Sequence, residues 1–295
     1  MLGKSVGGTA IVMKVIYVMA DLLAMWGLVK ILDYFEKDRK LVLFYFLNPL
    51  IIIELVGNIH AEVLMVASLI WMAYFLLKES YWKAGIFYAI AIASKILPFL
   101  LGPLLLLYLI KKKAWFGFFA VSGLLVVGSF TLMLLGSNIS HLLDSIDLYF
   151  RSFEFNASIY YLGRWIGYFN KGYNTIANVG PLLAFTSLAL ILGSSFQIFK
   201  KPQQDVLLAA IPLLFLIYLF FSTTIHPWYL AVPIAFAIFN EKIGFMVFVW
   251  SFLVLLSYSA YDTDPVQEHT LVLFLEYGIL LAILIYGSVK KPIKI

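Results

Sequence analysis

Residues Asn48–Met65 read NPLIIIELVGNIHAEVLM, and this stretch decides how the rest of the chain is read. It is apolar enough to enter a bilayer, yet Asn48, Pro49, Glu54, Asn58, His60 and Glu62 fall within fifteen residues of one another. An ionisable side chain inside a membrane span costs about 2.5–3.5 kcal/mol on insertion scales, so it normally faces a partner or a wet cavity. Pro49 removes a backbone donor and bends the first arm. Gly57-Asn58 forms a tip, and His60 and Glu62 open the returning arm. The stretch is therefore a helical hairpin with a polar tip. That tip either touches water and headgroups or grips a phosphate or sugar.

The surrounding composition fits a lipid solvent. Of 295 residues, 63% are hydrophobic and 13% charged, with a mean hydropathy of +0.97. A soluble domain averages about 45–50% apolar and about 25% charged, so most of this chain is membrane-embedded and all-α, because a backbone in lipid must satisfy its own hydrogen bonds. The net charge of +5 comes from short basic clusters between apolar runs rather than from one surface, which argues for topology signals and against nucleic acid as a partner. The absence of cysteine excludes disulfides, thiol catalysis and zinc–thiolate sites.

The chain reads as one domain, 1–295, with about eleven transmembrane helices: 8–33, 41–57, 60–77, 82–95, 98–110, 114–136, 177–199, 206–222, 228–240, 243–260 and 270–289. The second with the third, the fourth with the fifth and the eighth with the ninth form short hairpins. Loops EKDRK (36–40), KESYWK (78–83), KKK (111–113), KKPQQD (200–205), NEK (240–242) and KKPIK (290–294) hold fourteen of the 21 Lys and Arg, which makes their side cytoplasmic. The alternate loops hold all four histidines, so chemistry belongs on the outer face. Eleven crossings put Met1 outside, which implies a preceding helix and outer loop not contained in this chain. The long outer loop 137–176 carries the pattern of a surface amphipathic helix at 141–153.

Four outer motifs carry candidate chemistry. Besides the first tip, Lys95 in SKILP (94–98), at the outer end of a short helix, either snorkels to headgroups or holds a lipid-linked phosphate. RSFEFNASIYYLGRW (151–165) offers Glu154, Asn156 and Arg164; Arg151 and Glu154 suit a surface pair, and the Arg164 fork suits phosphate. TTIHPWY (223–229) places His226 for proton exchange near neutral pH or for donation to phosphate, with Trp228 and Tyr229 as interface anchors or site residues. Asp262 and Asp264 read as an exposed turn rather than a metal site, and Asp21 with Lys14 as a self-neutralising pair on the first helix. No P-loop, dinucleotide fingerprint or HExxH occurs, so no cofactor and no metal are expected. Asn138 and Asn156 lie in Asn-x-Ser sequons; a glycan on Asn156 would crowd the cleft, which favours a bacterial inner membrane.

Taken in order, NPL…E…GNIHAE, SKILP, FEFNASIYYL and HPWY resemble the bacterial polyprenyl-phosphate-mannose-dependent mannosyltransferases of the GT-C superfamily, over about residues 14–240. The resemblance implies an inverting transferase. It would move a hexose, mannose, from a polyprenyl-phosphate donor to a lipid or glycan acceptor outside the cytoplasm. The family's usual catalytic carboxylate, in the first outer loop, has no matching position in this chain. Lys95, Arg164 and His226 are then expected to hold the donor phosphate. Asn48, Glu54, His60, Glu154, Asn156, Trp228 and Tyr229 would line the sugar or acceptor pocket, and Glu62 with His226 would do the acid–base work. A transporter or flippase of a lipid-linked sugar, or a non-catalytic transferase subunit, is the competing reading. Crowding of polar groups on one face, without a visible repeat, favours the enzyme.

Overall fold

A computed structural model describes residues 6–135, 144, 153–200, 203–262, 264 and 266–289. Among them the architecture is all-helical. In chain order the α-helices are α1 (Val6–Tyr34), α2 (Leu43–Phe46), α3 (Glu62–Leu77), α4 (Tyr81–Ser94), α5 (Gly102–Lys111), α6 (Trp115–Leu134), α7 (Ile159–Lys171), α8 (Ile176–Phe199), α9 (Gln204–Phe220), α10 (Ala231–Ala237), α11 (Gly244–Leu253) and α12 (Thr270–Val289). A π-helix, Ile51–Gly57, lies between α2 and α3, and 3₁₀ turns flank α2, α5, α10 and α11.

Among the described residues the eleven apolar runs are largely helical, but they differ in length. By length and composition, five helices are long and apolar enough to cross a membrane: Gly7–Tyr34, Trp115–Leu132, Ile176–Phe199, Gly244–Asp262 and Thr270–Gly287. A sixth is gained if the bent pair Arg39–Phe46 and Ile51–Gly57 counts as one span. Glu62–Leu77, Leu97–Lys111, Gln204–Phe220 and Pro227–Ala237 are apolar but shorter. Helix length and composition do not confirm the count of about eleven crossings, and hydropathy registers burial in protein as readily as burial in lipid. α3 makes the point: it is buried around most of its circumference, packed between α1 and α4. The arm over 41–57, expected to bend at Pro49, turns by 63° between Arg39–Phe46 and Ile51–Gly57, at the break that holds Asn48-Pro49. The proline cannot continue the hydrogen-bond ladder, and Asn48 caps the restart by accepting from the Leu50 amide at 3.0 Å.

Beyond the α1–α3–α4 core, α4 packs on α6, and α9 sits between α8 and α10. Gly85 sets the α4–α6 approach, since a Cβ there would lie 2.6 Å from the Phe118 carbonyl oxygen. The outward faces of α6, α8 and α12 expose large apolar side chains such as Leu124, Phe185 and Phe274, as helices facing lipid do. The amphipathic helix among the described residues is α7, which exposes Leu162, Trp165 and Phe169. The segment 141–153 read as amphipathic lies outside the described residues but for Asp144 and Phe153, and so do Arg151 and Asn138.

Contacts sort the connections onto two ends. At one end Tyr34 donates to Gln204, the Gln204 amide donates to the Leu77 carbonyl, Lys112 pairs with Glu79, and Lys111 donates to the Phe199 carbonyl. At the other end the tips around 58–62, 95–98 and 226–230 meet. α3 spans the gap; its 16 residues rise about 24 Å at 1.5 Å each.

Candidate active site at three hairpin tips

The first tip is built from unusual backbone. Glu54 sits in the seven-residue π-helix, whose closing bond runs from the Asn58 amide to the Ile53 carbonyl at 2.8 Å. Such π segments in α-rich structure are frequent at functional sites. Ile59, a β-branched residue, adopts φ 60°, a conformation that persists only where surrounding contacts impose it. The result turns His60 back toward Glu54. The Glu54 carboxylate is fully buried, with its Oε2 3.4 Å from His60 Nε2 and 3.2 Å from Asn58 Nδ2.

The second tip contributes Lys95, the residue that ends α4 in extended conformation. Its ammonium pairs with the Glu62 carboxylate on the first tip and lies 4.1 Å from the Tyr229 ring centroid on the third. Glu62 is almost wholly buried, whereas about a third of the Lys95 side chain stays accessible. One cation is thus shared by three tips and still open to a ligand.

Rings complete the contact. Trp228 stacks on His60 at 3.8 Å and on His226 at 4.4 Å, and His226 stacks on Phe155 at 5.1 Å. Phe155 is held there by backbone: its amide donates to the Thr223 carbonyl at 3.1 Å, and the Ile225 amide donates to its carbonyl at 2.8 Å. Burial, reinforced by Lys95 and His60, pushes the His226 imidazole down to about 4. Burial also lowers His60, outweighing the pull of Glu62 and Glu54. Both rings are therefore neutral at pH 7. Burial removes water from the charged form of both rings, and at His226 the neighbouring Lys95 and His60 act in the same direction.

Not every expected residue joins this cluster. Arg164 on α7 donates to Glu154 at 2.6 Å and lies over the Tyr161 ring at 4.5 Å. Glu154 also accepts from Tyr160 and from Asn174 Nδ2. This second cluster adjoins the first through the single step from Glu154 to Phe155. Asn156, with φ 45°, is buried in a third. Its amide donates to Glu268, its side chain donates to Glu276 at 3.1 Å, and its carbonyl accepts from Tyr277. Trp250 donates to the same Glu276 oxygen at 2.6 Å, and Tyr161 donates to Glu268. Engaged and buried, the Asn156 amide is not open to a glycan. Asn48 lies apart from all three, donating to Ser251 at 2.8 Å. Asp21 accepts from buried Tyr45 at 2.8 Å rather than pairing with Lys14, which is exposed.

Sequence reasoning passed over Glu268, Glu276 and Asn174. Glu276 was within reach, being a carboxylate inside an otherwise apolar run. For Glu268 and Asn174 no local signal distinguishes them from loop residues.

A helical membrane protein whose buried ionisable groups converge at one end of the bundle is the class these features define. Within that class, residues 1–111 match the model of a family described as alpha-(1->6)-mannopyranosyltransferase, N-terminal domain. The match takes in the first two tips and supports mannose transfer in general terms. No curated protein and no solved structure matches the chain.

Proposed function

We propose that this chain transfers mannose from a polyprenyl-phosphate donor to a lipid or glycan acceptor, on the membrane face opposite its basic loops, in a bacterial inner membrane. Transfer proceeds with inversion. The acceptor oxygen bonds to the anomeric carbon as the bond from that carbon to the phosphate oxygen breaks. The acceptor proton passes to a base, and the polyprenyl phosphate leaves with the electron pair. Lys95 is the cation for the leaving phosphate, with Glu62 its counter-ion when no donor is present. Neutral His226 and His60 supply N–H or lone-pair contacts, and Trp228 and Tyr229 supply ring faces. Arg164 joins as a second phosphate contact by exchanging Glu154 for donor oxygen.

The observation that carries this reading is Lys95, paired to buried Glu62 and seated on Tyr229, at the one place where three tips meet. The test is transfer from radiolabelled polyprenyl-phosphate mannose by the full chain in a bilayer. Transfer by wild type and its collapse in Lys95→Ala is the expected result. Label carried across the membrane without being transferred would favour a flippase, and neither activity would favour a non-catalytic subunit.

A further inference from the structure

At the end opposite the tips, Lys30, Asp33, Tyr34, Tyr74 and Lys78 line an open cavity of about 220 Å³. We propose that it binds the phosphate ester of a net-anionic lipid headgroup. Both lysines are held at the cavity by rings: Lys30 lies 5.0 Å from the Trp26 centroid, and Lys78 lies 5.0 Å from Tyr34 and 6.0 Å from Tyr74. The one carboxylate in the lining is already committed, since Arg39 binds Asp33 at 2.6 and 3.1 Å. Nearby Lys112 and Lys111 are committed too, to Glu79 and to the Phe199 carbonyl. Lys30 and Lys78 have no carboxylate partner among the described residues.

Two ammonium groups facing one cavity repel each other, and an anion between them removes that cost. Depth identifies the anion. Lys30 is about one turn from the end of the apolar helix Gly7–Tyr34, and Lys78 caps α3 at the same end, so with these helices crossing a bilayer both would stand at the level of headgroups. A phosphodiester fits the volume and charge. A choline headgroup would bring a third cation into the cavity and fits less well. The site is separate from the tips and stands whether or not mannose transfer is the activity.

The delipidated full chain in detergent should gain thermal stability on titration with short-chain phosphatidylglycerol, saturably and less so at high salt. Short-chain phosphatidylcholine should act only weakly. Since a basic side chain near an anionic surface contributes about 1 kcal/mol, Lys30→Gln with Lys78→Gln should weaken phosphatidylglycerol binding about 30-fold. Lys37→Gln with Lys40→Gln, an equal loss of charge at the same end, should leave it unchanged. Equal stabilisation by phosphatidylcholine, or wild-type binding in the Lys30/Lys78 variant, would overturn the proposal. Should that variant fail to fold, a phosphatidylglycerol effect on wild type that ignores salt would do the same. Inorganic phosphate alone reproducing the shift, with no effect of phosphatidylglycerol, would replace the lipid by free phosphate and overturn the headgroup assignment.

Discussion

The two ends of the bundle use charge in opposite ways. At the tip end, three carboxylates are buried and held by partners: Glu62 by Lys95, Glu54 beside His60, Glu276 by Trp250 and Asn156. The backbone there is irregular, with a π-helix, an extended Lys95 and a left-handed Ile59. At the basic end charges are exposed, Arg39 by 72% and Glu79 by 57%, and the backbone follows one rule. α1, α3 and α5 each close with the same pair of bonds: Lys37, Ser80 and Ala114 donate to the Leu32, Phe75 and Leu109 carbonyls at 2.9, 2.9 and 3.0 Å, and Glu36, Glu79 and Lys113 donate to the Asp33, Leu76 and Ile110 carbonyls at 3.2, 3.1 and 3.1 Å. This is the Schellman arrangement, with Glu36, Glu79 and Lys113 in the left-handed position usually given to glycine. Charge in water costs little and can serve topology. Buried charge requires partners, and a structure that supplies them in one place has a site to maintain.

That contrast can be broken most decisively at Lys95. Lys95→Ala should lower transfer by about 100- to 1,000-fold, the usual loss when one group stabilising a developing charge is removed, whereas Lys112→Ala at the other end should leave transfer unchanged. Equal losses in both variants would abolish the distinction. Next in size, Glu276→Ala leaves the Trp250 indole and the Asn156 amide without their acceptor in a buried place. A cost of about 2–3 kcal/mol is expected in denaturant unfolding, with Glu276→Gln costing less because one carbonyl remains.

A pH titration sharpens the comparison further. His226 is depressed to about 4 in the folded chain against 6.5 when unfolded, so below 6.5 the unfolded state takes up the proton first. Stability should be level above pH 6.5 and fall as pH drops from 6.5 toward 4. Lys95 and His60 are the charged and titratable groups facing it, and His226→Phe should flatten part of that slope in thermal unfolding. The smallest effect is expected at the basic end. Glu36→Gly and Lys113→Gly relieve left-handed backbone at exposed turns and should each stabilise by up to about 1 kcal/mol, with transfer unaffected.

The helical class, the positions of the apolar segments, the bend at Pro49 and the segregation of basic loops from polar tips were legible in the sequence, because each rests on a local signal: hydropathy, a missing donor, or loop charge. Hydropathy did not by itself fix the number of crossings, since α3 and α9 are apolar yet largely buried against neighbouring helices. Nor was the division of the expected site legible. Lys95, His60, Glu62, His226, Trp228 and Tyr229 converge, while Arg164 with Glu154, and Asn156 with Glu276, form adjoining clusters.

What the sequence determined by itself is where polar groups would have to find partners, because burying a charge in an apolar run carries a cost that composition alone reveals. Which partner each found was decided only in three dimensions. Glu62 and Lys95 are 33 positions apart, and Asn156 and Glu276 are 120. Pairings at such separations depend on how helices pack side by side, and no local pattern encodes that.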